Sequence, residues 1–229
     1  MKWSDFFASS VGKKFIMALT GLFLISFLVI HVGINACIFA NDGGEMFNKA
    51  AHFMGSTVLI RIMEIGLFAG IFLHIIQGYI LEAKNRTARN VKYAVNLGNK
   101  GSKWYSRSMG LLGTILLIFF LMHWYQFWLP GRNLLGEVPP VVYDGKEMHN
   151  MFQLMQINFK NIGVVVFYVV ACLSLAYHLM HGFQSAFRTL GVGNKRYVVL
   201  VQAVGMGFSI LVPLLFAAMP VAVHFGWVK

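Results

Sequence analysis

The chain has 229 residues, of which 58% are hydrophobic and only 12% are charged. Soluble proteins carry a charge on about 25% of their residues, so this composition argues against a soluble fold and indicates a membrane protein. The net charge of +11 is concentrated in alternate connections between apolar segments, a pattern that fits membrane topology and not a nucleic-acid partner.

Five segments lack charged residues over lengths close to or above the roughly 20 residues that a helix needs to cross a bilayer. We therefore predict an all-α, five-helix transmembrane bundle that forms a single domain over residues 1–229. The first apolar run is longer than the roughly 7–15 residues typical of a signal peptide, so we expect it to be retained. The predicted spans cover about residues 13–40, 57–84, 106–128, 161–190 and 197–225.

The connections between the spans differ in character. A polar loop at residues 41–44 and an amphipathic stretch near residues 48–54 follow the first span, and a basic connection covers residues 84–103. The third span is expected to stop at Pro130, and residues 132–159 are predicted to be the longest irregular stretch. Pro213 and Pro220 are expected to kink or end the fifth span.

The positive-inside rule places the N-terminus in the cytoplasm and the C-terminus outside. Five tryptophans near the predicted span ends fit an aromatic belt: Trp3, Trp104, Trp124, Trp128 and Trp227. The basic side carries Lys2, Lys13, Lys14, Lys84, Arg86, Arg89, Lys92, Lys100, Lys103, Arg107, Arg188, Lys195 and Arg196.

Four histidines lie deep in four different spans, where an ionisable residue is a functional candidate by default. Counting from the basic residue at the inner end of each span, His31 and His123 lie about 27 and 24 Å outward. His74 and His178 lie only about 15 Å outward from the basic residues at the inner ends of their own spans. Depth alone therefore predicts an outer pair and an inner pair.

Glycines flank the histidines at matching spacings. Gly21 precedes His31 by ten positions, and Gly113 precedes His123 by the same number. One helical turn after His74 comes Gly78, and one turn after His178 comes Gly182. A missing side chain at such positions leaves room for a flat ligand.

Paired imidazoles between helices fit haem iron with two axial histidines, since helical bundles commonly hold cofactors between facing helices. Zinc fits less well, because it usually takes four ligands and no cysteine or carboxylate lies at matching depth. His181 remains an alternative to His178, since it lies three residues later on nearly the same helix face.

The chain resembles the cytochrome b subunit of di-haem succinate:quinone oxidoreductases, a family that includes menaquinone-linked fumarate reductases. The residues that carry the resemblance are the motif Phe-Leu-Val-Ile-His31, the run from Phe47 to Met54, His74 with Gly78-Tyr79, His123-Trp124, and His178 with Gly182-Phe183.

The resemblance implies two haem b groups, a distal one held by His31 and His123 and a proximal one held by His74 and His178. It implies a flavoprotein subunit and an iron–sulfur subunit docked on the cytoplasmic side, and transfer of electrons to a quinone, with menaquinone favoured. The chain is then the electron-transfer subunit of an enzyme complex in a bacterial inner membrane and has no succinate site itself. Whether the heterotrimer forms a dimer, and in which direction the reaction runs, stays open.

A quinone needs hydrogen bonds to its carbonyl oxygens and a route for protons. The polar candidates near the outer pair are Asn35, His52, Glu64 and Gln126. An ion pair with Arg61 is the alternative role for Glu64.

Two other functions are weighed against this one. An anchor of another respiratory enzyme, such as a hydrogenase or formate dehydrogenase, would place its ligands on a different set of helices. A transporter that relays protons through histidines would stagger them along one path, whereas these four histidines pair by depth.

Overall fold

A computed structural model describes residue 5, residues 9–87 and residues 103–229. Five helical segments in this part of the chain are long and apolar enough to cross a membrane: Ser10–Ala40, Val58–Thr87, Met109–Gly131, Ile162–Thr189 and Lys195–His224. The predicted all-α five-helix bundle is confirmed. Trp3 and the basic residues Lys2, Arg89, Lys92 and Lys100 lie outside the described residues, as does most of the predicted 84–103 connection.

Nine helices and one hairpin occur in the described ranges. The helices are α1 Ser10–Ala36, α2 Glu45–Ser56, α3 Val58–Thr87, α4 Trp104–Arg107, α5 Met109–His123, α6 Leu129–Gly131, α7 Met151–Phe159, α8 Ile162–Thr189 and α9 Lys195–His224. A 3₁₀ turn at Cys37–Ala40 extends α1, and a π-helical segment at Trp124–Trp128 joins α5 to α6. The strands are β1 Pro140–Tyr143 and β2 Lys146–His149.

Polar caps mark the beginnings of three spans. The side chains of Ser9, Asn161 and Asn194 each accept a hydrogen bond from a backbone N–H in the first turn of α1, α8 and α9. These bonds satisfy donors that a helix N-terminus leaves without partners. Pro213 and Pro220 lie inside α9, which runs through both without ending.

The four spans that carry the candidate histidines form a ring. Helix α1 packs against α3, α3 against α5, α5 against α8, and α8 against α1. Helix α9 packs outside this ring against α8 and α1. Helices α1 and α5 therefore face each other across the centre, and so do α3 and α8.

The prediction of an irregular outer connection over residues 132–159 was wrong. It contains the antiparallel β1–β2 hairpin, in which Tyr143 pairs with Lys146, and helix α7. Asp144 and Gly145 have φ values of 51° and 71°, and a two-residue hairpin turn of type I′ requires positive φ at both central residues. The Asp-Gly pair is the local signal that could have revealed this hairpin.

Candidate functional site

The centre of the helix ring is a cavity of about 1920 Å³. Its walls are mainly apolar, and the candidate histidines of α1, α3, α5 and α8 all line it, together with His181. Gly21, Gly78, Gly113 and Gly182, the four glycines singled out by spacing, line it as well. A Cβ atom at Gly113 or Gly182 would meet no atom within 4 Å, so both glycines border open space.

The outer half of the cavity brings His31 and His123 together. Their ring centroids lie 5.9 Å apart with an angle of 87° between the ring planes. Phe27 stacks on His31 and Phe119 stacks on His123. Helices α1 and α5, which carry the two histidines, face each other across the ring, so the imidazoles approach from opposite walls.

The inner half brings His74 and His178 together in the same way. Their ring centroids lie 6.1 Å apart at 63°, and the two imidazoles come from the facing helices α3 and α8. The structure records no ring contact between His74 and His181. His181 lines the cavity instead near its inner end, in the neighbourhood of Gln184 and Arg188.

A hydroxyl group lies within hydrogen-bonding distance of Nδ1 of one histidine in each pair. The Thr20 hydroxyl donates its one hydrogen to the Ile16 carbonyl at 2.9 Å. The 3.2 Å contact of the hydroxyl oxygen with His74 Nδ1 is therefore a bond that Nδ1–H donates. This leaves His74 Nε2 unprotonated, as a metal ligand must be.

His123 is held in the same manner. The Tyr168 hydroxyl donates to Gln126 Oε1 at 2.7 Å, so its oxygen accepts from His123 Nδ1, which lies 3.4 Å away. The neutral imidazole then presents an unprotonated Nε2. Neither Thr20 nor Tyr168 was singled out from sequence. Their signal was a hydroxyl within an apolar span, where such groups commonly bond across helices.

The other histidine of each pair lacks such an acceptor. Among the described residues, His178 Nδ1 is buried without a hydrogen-bond partner. The side-chain atom near His31 Nδ1, at 3.4 Å, is the Asn35 amide nitrogen, a donor that also bonds the His31 carbonyl at 2.8 Å.

The arrangement fits two metal centres with two imidazole ligands each. A metal that binds a nitrogen of both rings at about 2 Å each needs ring centroids roughly 6 Å apart, close to both observed separations. In the described ranges no three His, Cys, Asp or Glu side chains converge. This part of the chain therefore offers pairs of ligands, which suit haem iron, and not the larger ligand sets of zinc.

The four quinone candidates differ in how many hydrogen bonds their polar groups already make within the protein. Glu64 accepts from Trp128 Nε1 at 2.6 Å and from Arg132 Nη2 at 2.8 Å, in addition to Arg61 at 3.0 Å. The alternative Arg61 pair is thus present, but it is joined by a more buried pair with Arg132. Gln126 accepts from Tyr168.

Asn35 and His52 also line the cavity. The Asn35 amide bonds back to its own helix, whereas the His52 ring makes no hydrogen bond to another residue in the described part of the chain.

One curated protein shows clear sequence similarity to the chain. It is the succinate dehydrogenase cytochrome b558 subunit of Bacillus subtilis (strain 168), 28% identical over 174 residues that cover 75% of this chain and 73% of that protein. The predicted resemblance to succinate dehydrogenase cytochrome b subunits is confirmed. With five apolar helices, the chain is a multi-pass bacterial membrane protein. No family model matches the chain, and no solved structure matches it.

Proposed function

We propose that the chain is the di-haem cytochrome b membrane anchor of a succinate dehydrogenase or fumarate reductase complex. In this role it forms one membrane domain and passes electrons between an iron–sulfur subunit and a membrane quinone, with menaquinone favoured. The proposal is carried by two pairs of imidazoles at two levels of one cavity. The ring centroids lie 5.9 Å apart in the His31–His123 pair and 6.1 Å apart in the His74–His178 pair. The relative is named as a cytochrome b subunit of succinate dehydrogenase, which supports the same reading.

Each pair is assigned one haem b. His31 and His123 hold the outer, distal group, and His74 and His178 hold the inner, proximal one. Two histidines leave haem iron without an open position, so the bound group supplies one-electron transfer and not oxygen chemistry. The chain's part is to orient the imidazoles, to place a hydroxyl oxygen behind Nδ1 of His74 and of His123, and to surround all four rings with apolar walls.

The cytoplasmic side is proposed to dock the iron–sulfur subunit, with the flavoprotein subunit beyond it. Lys14, Lys103 and Arg188 line the cavity, and they lie closer to the cytoplasmic side than the inner histidine pair. A positive surface there favours an acidic partner and speeds its association. Succinate or fumarate would be converted in the flavoprotein subunit and would not contact this chain.

The quinone is proposed to bind near the outer pair, with Asn35, His52, Glu64 and Gln126 as candidate contacts. His52 has the most open hydrogen-bonding capacity of the four, because its ring is exposed and makes no bond to a described residue. His52→Ala is therefore expected to lower quinone-dependent activity more than Glu64→Gln, while the haem spectrum of both variants stays that of wild type.

Haem content of the purified complex tests the proposal directly. A reduced-minus-oxidised spectrum should show b-type bands, with two haems per chain. Replacing His31 or His123 by Ala is expected to remove one haem, and replacing His74 or His178 the other. Added imidazole, which can take the place of the missing side chain, is expected to restore the lost bands.

Two matched controls sharpen this test. His224, which donates from Nδ1 to the Phe159 carbonyl, lies outside the cavity, so His224→Ala should retain both haems. His181→Ala should retain both as well, because His178 is the residue that faces His74. One haem or none in the wild-type complex would contradict the proposal, and loss of the inner haem in His181→Ala alone would reassign that ligand.

A further inference from the structure

The hydroxyl groups behind the histidines follow a crossed arrangement. Thr20 lies on α1, the helix of His31, yet its hydroxyl holds His74 of the inner pair. Tyr168 lies on α8, the helix of His178, yet its hydroxyl holds His123 of the outer pair. Each of these two helices therefore supplies a ligand candidate to one pair and a hydrogen-bond acceptor to the other.

The crossing follows from the helix ring. Helices α1 and α3 are neighbours, as are α5 and α8, so a side chain on one neighbour reaches the back of the imidazole on the other. Thr20 precedes His31 by 11 residues and Tyr168 precedes His178 by 10. Since α1 and α8 run in opposite directions, these offsets bring Thr20 to the inner level and Tyr168 to the outer level.

We propose that Tyr168 and Thr20 are positioning residues that set the reduction potentials of the outer and inner haem, respectively. This proposal rests on the function proposed above. An acceptor on Nδ1–H fixes the ring orientation and makes Nε2 a stronger electron donor. Stronger donation favours the oxidised iron, which carries the greater charge, so each hydroxyl lowers the potential of its haem.

Each haem depends on a single hydroxyl for this effect. Among the described residues His178 Nδ1 has no partner, and the atom facing His31 Nδ1 is a donor. Removing Tyr168 or Thr20 therefore leaves the corresponding haem without a side-chain acceptor behind either ligand.

The experiment is a redox titration of the purified complex, followed by haem absorbance, for wild type, Tyr168→Phe and Thr20→Val. The outer haem is identified as the one that His31→Ala removes. Tyr168→Phe is expected to raise the potential of the outer haem and leave that of the inner haem unchanged. Thr20→Val should do the reverse, while Thr20→Ser, which keeps a hydroxyl, should behave as wild type. Tyr168→Phe and Thr20→Val should each keep two haems per chain.

Two variants control for the loss of a hydroxyl elsewhere. Tyr125 is 61% exposed and lies two residues from His123, so Tyr125→Phe should leave both potentials unchanged. Thr114 bonds back to the Gly110 carbonyl of its own helix, as Thr20 does to Ile16, but its cross-helix partner is the Tyr79 hydroxyl at 2.8 Å and not a histidine. Thr114→Val should therefore also leave both potentials unchanged.

The outcomes separate the two proposals. If Tyr168→Phe and Thr20→Val keep two haems and neither changes a reduction potential, the roles of Tyr168 and Thr20 are overturned while the proposed function stands. The same holds if each variant shifts the potentials of both haems together. A wild-type complex without two haems would overturn the proposed function and this proposal with it. The Thr20 series is judged independently, so it decides the question for the inner haem even if Tyr168→Phe does not assemble.

Discussion

Asn48 is fully buried at the end of the bundle that carries the β1–β2 hairpin, where its amide joins three segments. Its Oδ1 accepts from the Phe152 backbone N–H of α7 at 2.9 Å, and its Nδ2 donates to Asn150 Oδ1 at 3.1 Å and to the Tyr143 hydroxyl at 3.3 Å. One side chain of α2 thus holds the hairpin and α7 against the end of the bundle.

Asn48→Ala is expected to lower the free energy of unfolding by about 1–3 kcal/mol, because it leaves the buried Phe152 N–H without an acceptor. Thermal unfolding of the purified complex measures this change. Gln156→Ala, an exposed position on α7, is the control and should leave the midpoint within error of wild type. Equal midpoints for Asn48→Ala and wild type would contradict the prediction.

The surface contact between α2 and the hairpin depends on pH. Lys49 Nζ lies 2.6 Å from Asp144 Oδ2 and 2.6 Å from Glu45 Oε1. Its hydrogen bond to Asp144 holds the pKa of that carboxyl below its ordinary value of 3.8. The same bond, with a second one to Glu45, raises the pKa of Lys49 above 10.5.

A depressed carboxyl pKa stabilises the fold above the ordinary value, and that contribution is lost as the pH falls further. The difference in thermal midpoint between wild type and Asp144→Asn is therefore expected to be constant from about pH 5 to 9 and to shrink below pH 3.8. Glu147→Gln, which removes an exposed carboxylate of the same hairpin, is the control. A difference that grows on acidification would contradict this sign.

At the scale of residues, the sequence predicts how deep a side chain lies in the membrane, but not how its helix is rotated about its own axis. Counting residues from basic anchors at a fixed rise per residue was enough to pair His31 with His123 and His74 with His178. It could not find Thr20 or Tyr168, because whether a hydroxyl meets an imidazole depends on how two neighbouring helices are rotated about their axes. The choice of His178 over His181 as the partner facing His74 depends on the same rotation.

At the scale of elements, α8 and α9 approach each other closely at one glycine. A Cβ at Gly205 would lie 2.6 Å from Cδ1 of Phe183, a buried ring of α8. Small residues at such a contact allow helices to pack closely in a membrane. Gly207, two residues later on α9, faces open space.

Gly205→Ala is expected to destabilise the bundle by about 1–3 kcal/mol, since Phe183 must shift within a packed contact. Gly207→Ala is the matched control on the same helix, and it should be neutral or slightly stabilising because alanine favours helix. Thermal unfolding of the two variants compares them directly. A loss of stability of the same size in both would show that backbone flexibility, and not the Phe183 contact, is responsible.

The elements themselves were predicted unevenly. The five spans follow from apolar length alone, because lipid requires a helix to satisfy its own backbone. The hairpin is not visible in the hydropathy pattern, and its one local signal is the Asp144-Gly145 turn. The π-helical segment at Trp124–Trp128 has no comparable local signal in the sequence.

At the scale of the whole molecule, the proposed orientation places the hairpin outside and the start of α9 in the cytoplasm. Labelling with an impermeant maleimide in sealed right-side-out vesicles tests it, with Cys37 replaced by Ala and Cys172 left in its buried position. A cysteine introduced at Asp144 should react in sealed vesicles, whereas one introduced at Lys195 should react after permeabilisation. The opposite pattern would reverse the topology.

The ring of α1, α3, α5 and α8 is the feature that sequence could not supply. Depth places two histidines at each level of the membrane. It does not say whether the two come from neighbouring helices or from helices that face each other across the ring. The structure puts each pair on facing helices across a single cavity. This choice depends on helix order around the bundle, which is decided by contacts among residues far apart in the chain.

The loop after α1 and the segment after α9 are joined by a closure between distant parts of the chain. The Lys229 N–H donates to Asn41 Oδ1 at 2.7 Å, and the Gly43 N–H donates to the Lys229 carbonyl at 2.8 Å. Lys229 and Asn41 are 188 residues apart in the chain, so the loop after α1 is synthesised long before its partner. Insertion of the five spans must therefore precede this closure.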